Sequence, residues 1–245
     1  ELGSEENFAS LVGALHENGM RVMLDGVYNH ASWQHPFWQD VLKNGEKSAY
    51  FDWFCGVSME VLRGKTSKEL TADVMRGEKP FESFAFAADM PKWNTENPAV
   101  QDYLIGTAAE WTRKYGVDAW RLDVPDEVSF RFLEHFKKRI RETNPEAYII
   151  GEIWQKSTAW LRAGVFDGAM DYPLYFAIRD FAMKRTDDVE TFAERIKDVF
   201  LSAPDCVRPR PLAFCGNHDI PRPLTVCRGG TGRPGDALFL QLLRG

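Results

Sequence analysis

The sequence predicts an α/β fold in which parallel strands, joined by crossover helices, close into a barrel interrupted by one large insertion. Three observations carry this. Short apolar runs of strand length alternate with longer stretches of helical period, each run ends in polar or charged residues, and residues 31–96 break the rhythm. Strand and helix in regular alternation imply a parallel sheet with crossovers.

Residues 4–19 read as a helix. Ser4 caps it, Glu5 and Glu6 suit the positive end of its dipole, Phe8, Leu11, Val12 and Leu15 form one apolar stripe, and Gly19 stops it. The run from Arg21 to Val27 is a strand that ends in Tyr28-Asn29-His30. Asn97-Pro98 is a cap followed by a first-turn proline, and Val100, Leu104, Ala108, Trp111 and Tyr115 follow at helical spacing up to Gly116. A strand from Val117 to Asp123 comes next, then a helix over 127–142 with Leu133, Phe136 and Ile140 on one face, then a strand from Ala147 to Ile153. Gly168 to Asp171 forms a short strand, helices follow near 174–184 and 188–202, Leu212 to Cys215 is one more strand, and 234–243 a final helix. Residues 31–96 are too long for a loop and lack a strong period, so they read as an irregular inserted subdomain. The domain reading is therefore a barrel part over 1–30, the insertion over 31–96 and the barrel continuation over 97–245.

Composition excludes several function classes. With 245 residues, 44% hydrophobic and 27% charged, the chain can bury a core without disulfides or a structural metal. A net charge of −6, with both signs mixed along the chain, makes nucleic acid and anionic membranes poor partners. No apolar run is long enough to span a membrane. Cys55, Cys206, Cys215 and Cys227 form no CxxC pair and no zinc spacing, which reads as incidental thiols in a reducing compartment and points to the cytoplasm. The opening Glu1-Leu2-Gly3-Ser4, with no initiator Met, reads as part of a longer protein.

In a parallel barrel the functional groups gather at the C-terminal ends of the strands. The predicted strand ends bring up Asp25, Asn29 and His30, then Arg121 and Asp123, then Glu152 and Trp154, then Asn217, His218 and Asp219. Paired carboxylates in different environments suit glycoside cleavage, where one attacks an oxocarbenium-like carbon and the other protonates the leaving oxygen. An adjacent arginine favours the charged form of a carboxylate, and neutral histidines donate to sugar hydroxyls. Singly, each residue has a plainer reading: Asp25 as a backbone acceptor, Arg121 with Asp123 as a structural ion pair, the histidines as hydrogen-bonded structure, and Trp33 and Trp154 as core. Glu152 resists that reading most, because an unpaired carboxylate in an apolar strand is costly. Their order along the chain is what favours chemistry.

Four stretches in that order resemble the signatures of the α-amylase family of glycoside hydrolases: Asp25-Gly26-Val27-Tyr28-Asn29-His30, Gly116 to Asp123, Gly151-Glu152-Ile153-Trp154, and Phe214 to Asp219. Three further features are similar to the cyclomaltodextrinase, neopullulanase and maltogenic amylase branch. They are Met90-Pro91-Lys92-Trp93-Asn94 running on to Pro98, the stretch Gln34 to Asp40, and Trp154 directly after Ile153. The resemblance implies a (β/α)8 TIM barrel of which this chain carries about strands three to seven, with the insertion after the third. It implies retaining hydrolysis of α-1,4-glucosidic bonds in cyclodextrins, maltodextrins or pullulan, with Asp123 as nucleophile, Glu152 as general acid/base and Asp219 as the third carboxylate. His30, Arg121, His218, Tyr28 and Asn217 would contact substrate, Trp154 and Glu127 would border the acceptor side, and Asp25 and Asn29 would brace the site.

No cofactor is implied. Asn29 matches a calcium ligand of some amylases, but the sequence offers it no partner ligands. The partners implied are α-glucan oligosaccharides or cyclodextrins, the full-length parent would be a homodimer, and this segment expressed alone would be a poor enzyme. Two positions depart from the branch, Asp126 and Asp171 standing where asparagine is usual, and residues 55–80 match it poorly. The alternatives are glycosyl transfer to a sugar acceptor and a non-catalytic amylase-like binding protein; the presence of all three carboxylates speaks against the second.

Overall fold

The computed structural model describes residues 3–78, 80–85, 88–201 and 211–227. The chain divides into two compact units, Glu1–Ile149 and Ile150–Gly245.

The first unit is built on two parallel strands. Helix α1 (Glu5–Glu17) is capped by Ser4, whose Oγ accepts from Asn7 N at 3.3 Å. It leads into β1 (Met23–Val27), which pairs with β2 (Ala119–Asp123) so that Met23 lies opposite Ala119 and Val27 opposite Asp123. Both strands start two residues later than the apolar runs suggest. The cause is Asp118, whose carboxylate takes the Val22 N–H at 2.7 Å and His16 Nε2 at 2.8 Å, so a side chain replaces the first rung of the ladder. The α1 stripe is only partly used. Phe8 meets Trp111 at 5.2 Å and Tyr115 at 5.0 Å, and Val12 is buried, but Leu11 stays 55% exposed.

Helix α5 (Pro98–Tyr115) has the predicted ends: Asn97 Oδ1 accepts from Ala99 N, Pro98 opens the first turn, and Gly116 closes it in the left-handed conformation at φ 69°. It packs with α6 (Phe130–Thr143), whose Phe132, Leu133, Phe136 and Ile140 are fully buried. This face, with Trp120 and Leu122 of β2, is the core of the unit. Helix α6 begins at 130 rather than 127, because Pro125–Glu127 form a separate 3-10 turn.

Residues 31–96 are more regular than the sequence suggests. They contain α2 (Pro36–Asn44), the short α3 (Met59–Leu62) and α4 (Ser67–Met75), around the buried Trp38, Phe54, Phe81 and Trp93. Helix α2 is capped by His35, whose Nδ1 accepts from Phe37 N at 3.3 Å. Burial pushes the His35 pKa down, which suits a neutral ring able to accept. Helix α4 opens on a full capping box between Thr66 and Glu69. Isolated antiparallel bridges pair His30, just before the segment, with Lys92 near its end, and Phe54 within it with Trp93.

In the second unit the end of β3 (Tyr148–Gly151) pairs in parallel with β4 (Gly168–Ala169), Ile150 opposite Gly168. Helices α7 (Thr158–Arg162), α8 (Tyr172–Ile178), α9 (Val189–Leu201) and α10 (Pro223–Cys227) follow. Helix α8 starts earlier than expected because Asp171 caps it, accepting from Leu174 N at 3.1 Å, and it runs into a π turn at Arg179–Met183. A carboxylate at this helix start also complements the dipole, which accounts physically for Asp171. The predicted strand over 212–215 is reduced to one parallel bridge, Leu212 with Met170. Leu212 N donates to Ala169 O at 3.0 Å and Leu212 O accepts from Asp171 N at 3.0 Å. The predicted helix at 234–243 and Cys206 lie outside the described residues. Among those described, no helix is long and apolar enough to cross a membrane.

Candidate active site

The first unit holds the β1–β2 group. Asp25 and Arg121 are register partners in adjacent parallel strands, so their side chains leave the same face, and Asp123, two residues on, joins them. Arg121 Nη1 donates to both Asp25 oxygens at 2.8 Å and to Asp123 Oδ1 at 2.7 Å. The guanidinium side chain is 8% exposed, that of Asp123 18% and that of Asp25 48%. One buried cation thus orients two carboxylates at the strand ends.

Beyond Asp123 the chain turns sharply. Val124 has φ 41°, a left-handed conformation that a β-branched residue rarely adopts, at a cost of about 1–3 kcal/mol. The turn brings Glu127 back toward β1, where its Oε2 accepts from Lys92 Nζ at 3.0 Å and from Asn29 Nδ2 at 3.3 Å. His30 lies stacked on Phe84, ring centroids 4.7 Å apart. Burial holds its pKa below the ordinary value, against the opposing pull of Asp123 and Glu127. A neutral imidazole results, suited to donate to a hydroxyl. Tyr28, in contrast, turns away from the carboxylates: its buried ring packs on Phe136 at 5.2 Å, Phe132 at 5.6 Å and Trp120 at 6.4 Å. Gly26 is needed for this, since a Cβ there would stand 2.5 Å from the Tyr28 ring.

Asn29 Oδ1 is buried without a hydrogen-bond partner, a suitable single donor for calcium. Glu127, the carboxylate that Asn29 hydrogen-bonds, is paired with Lys92, and no group of three or more His, Cys, Asp or Glu among the described residues could hold a metal.

The second unit holds the other group. Glu152, one residue past β3, is 3% exposed. Its Oε1 accepts from Trp154 Nε1 at 3.0 Å and from Tyr172 OH at 3.3 Å. Trp154 is 41% exposed and lies on Tyr172, ring centroids 4.3 Å apart and 15° from parallel. Asn217 Nδ2 donates to Tyr172 OH at 2.7 Å, and Asn217 Oδ1 accepts from Asp219 N at 3.0 Å. Burial pushes the Tyr172 phenol far above its usual range. His218 is mostly exposed, its Nε2 3.4 Å from Asp219 Oδ1. Asp126 is exposed in its turn.

Of the residues picked out in the sequence, Asp25, Asn29, His30, Arg121, Asp123 and Glu127 cluster in the first unit, and Glu152, Trp154, Asn217, His218 and Asp219 in the second. Only Tyr28 is not brought to a cluster. Two residues of these clusters, Tyr172 and Lys92, are not marked as site residues by the sequence. Each had a signal, Tyr172 lying just past the short strand Gly168–Ala169 and Lys92 inside a stretch already singled out.

Among known proteins, the chain matches the family described as "Alpha amylase, catalytic domain" over residues 1–237. It is 39% identical over 238 residues to a cyclomaltodextrinase of Geobacillus thermopakistaniensis, covering 97% of this chain and 38% of that protein. It is 38% identical over 226 residues to an intracellular maltogenic amylase of Bacillus subtilis, covering 92% and 36%. A solved structure of a cyclomaltodextrinase superposes with a TM-score of 0.83 at 38% identity, covering 93% of this chain and 37% of that one. The chain spans well under half the length of the curated relatives it matches.

Proposed function

The chain belongs to the alpha-amylase catalytic-domain family, a family of (β/α)8 barrels, and from that premise we propose that its protein hydrolyses α-1,4-glucosidic bonds with retention of configuration. The substrate class is cyclodextrins, maltodextrins or pullulan. Asp123 is the nucleophile, forming a covalent glycosyl-enzyme. Glu152 protonates the leaving oxygen and then activates the water that releases the sugar. Asp219 binds sugar hydroxyls and supports the charge that develops at the anomeric carbon. His30, Arg121, His218 and Asn217 line the reacting sugar, and Asp25 and Asn29 hold the frame.

The observation that carries this reading is the contrast between two carboxylates. Asp123 accepts from the Arg121 guanidinium, a partner that suits the charged form a nucleophile requires, whereas the near-fully buried Glu152 accepts from Trp154 and Tyr172. Such a division of environments is what separates nucleophile from acid in a retaining site. The names of the relatives support the substrate class.

A cytoplasmic location, a homodimeric parent and activity without a cofactor belong to the same proposal. The location is supported by the Bacillus subtilis relative, named as intracellular. The test is end-product analysis on cyclodextrin, pullulan and starch side by side, with Asp123→Asn and Glu152→Gln beside the parent protein. Retained activity on unactivated glucans in either variant would refute the assignment.

A second reading, transfer of the sugar to another sugar, is favoured by the exposed Trp154 face beside Glu152, which can stack an acceptor ring. It shares the first chemical step and differs only in what accepts the sugar.

A further inference from the structure

The geometry points to Tyr172 and Asn217 as a positioning relay for Glu152, which holds its Oε1 and so sets how the acid is aimed. The inference rests on Glu152 being the acid, and it adds how that acid is aimed.

The relay is determined link by link. Asn217 can place its amide in two ways, but its Oδ1 must face the Asp219 N–H, a donor, at 3.0 Å. That sends Nδ2 toward Tyr172 OH, 2.7 Å away. A hydroxyl has one hydrogen, and with a lone pair already engaged by Asn217 the hydrogen is free to point along the 3.3 Å contact to Glu152 Oε1. The phenol keeps that hydrogen, since burial raises its pKa far above the usual range. Trp154 Nε1 is a donor only, and it reaches the same Oε1 at 3.0 Å.

Oε1 therefore accepts twice, from two donors whose rings are locked face to face. A carboxyl proton on Oε1 would confront both donors, so the relay disfavours protonation there and fixes the carboxyl through that oxygen. During glycosylation the acid proton passes to the glycosidic oxygen as the bond from that oxygen to the anomeric carbon breaks. Its electron pair stays on the leaving oxygen, and Asp123 forms the new bond to carbon. Neither Tyr172 nor Asn217 gains or loses a proton overall.

A positioning role predicts a dependence on the leaving group that mere packing would not give. Maltotriose needs its leaving oxygen protonated, whereas the fluoride of α-maltosyl fluoride departs with little help from an acid. For both substrates kcat/KM reports the steps through glycosylation. Measured on the protein at its natural length, Glu152→Gln should lower kcat/KM on maltotriose by at least about 100-fold and on the fluoride by less than about tenfold. Tyr172→Phe, which keeps the ring stack and removes only the hydroxyl, should lower the maltotriose value about tenfold and the fluoride value less than about twofold. Asn217→Ala, whose contact with the sugar is common to both substrates, should still lower the maltotriose value about threefold more than the fluoride value.

Equal losses on both substrates in Tyr172→Phe, or no loss on either, would overturn the relay while the Glu152→Gln split stands. If Glu152→Gln itself shows no split, the assignment of Glu152 as the acid fails, and the relay with it. Since activity on the fluoride requires a folded protein, misfolding cannot imitate the expected result.

Discussion

Replacing Arg121 by methionine removes the cation that Asp25 and Asp123 share. The contact with Asp123 is the costly one to lose, because the arginine side chain is 8% exposed and the aspartate 18%. Stripping one partner from a buried pair costs about 3–5 kcal/mol, since the remaining charge stays desolvated. Asp25 is 48% exposed and can be solvated instead, so its share falls in the surface range of about 0–1 kcal/mol. Of the two carboxylates, the loss should therefore fall on Asp123, at about 3–5 kcal/mol, and hardly on Asp25. Urea unfolding followed by circular dichroism on the protein at its natural length measures it. Adding Asp123→Asn to the arginine variant should recover most of the loss, whereas adding Asp25→Asn should recover about 1 kcal/mol or less. Equal rescue by the two asparagines, or a loss under about 1 kcal/mol, would refute the view of Arg121 as chiefly the clamp on Asp123.

Gly26→Ala would set a Cβ 2.5 Å from the Tyr28 ring, itself hemmed in by Phe132 and Phe136, and should lower stability by about 1–3 kcal/mol, read as a fall in Tm. An unchanged Tm would show that Tyr28 can move. Burial also raises the Tyr28 phenol pKa, so the unfolded chain loses this proton first as pH rises. Its contribution should be intact below about pH 10 and decline above it, so that the parent protein loses stability faster than Tyr28→Phe as pH rises beyond that point. Parallel stability curves for the two would contradict this. Trp154→Ala, with α-maltosyl fluoride as donor so that acid catalysis matters little, should lower the ratio of transfer to hydrolysis more than total cleavage. An unchanged product profile would leave Trp154 with only its contacts to Glu152 and Tyr172.

Strands and their terminal motifs were readable because apolar runs end abruptly in charge. Asp25, Arg121 and Asp123 stand on one face through the period of two, and register then makes Asp25 and Arg121 partners. The caps at Ser4 and at Asn97 with Pro98 were equally plain. Helix α2 was not, because its cap is a histidine whose role depends on staying neutral in a buried setting. Helix α4 carries a readable capping box, but its buried positions are Leu70 and the ion-paired Asp73, too sparse for an apolar period. Tyr172 is not marked by the sequence because the strand before it is two residues long, and its orientation toward Glu152 depends on Asn217, 45 positions away. Tyr28 sits next to Asn29 and His30 in one motif, yet strand alternation and the close approach over Gly26 send it into the core. Proximity in sequence does not decide which face a side chain takes.

The most direct test of the central claim is to trap the covalent intermediate. A fluorinated maltosyl fluoride that slows release should leave one maltosyl group on the protein at its natural length, and peptide mass spectrometry should place it on Asp123. The same reagent should leave Asp123→Asn unlabelled. A label on Asp219 or any other residue, or persistent labelling of Asp123→Asn, would contradict the assignment of Asp123 as nucleophile.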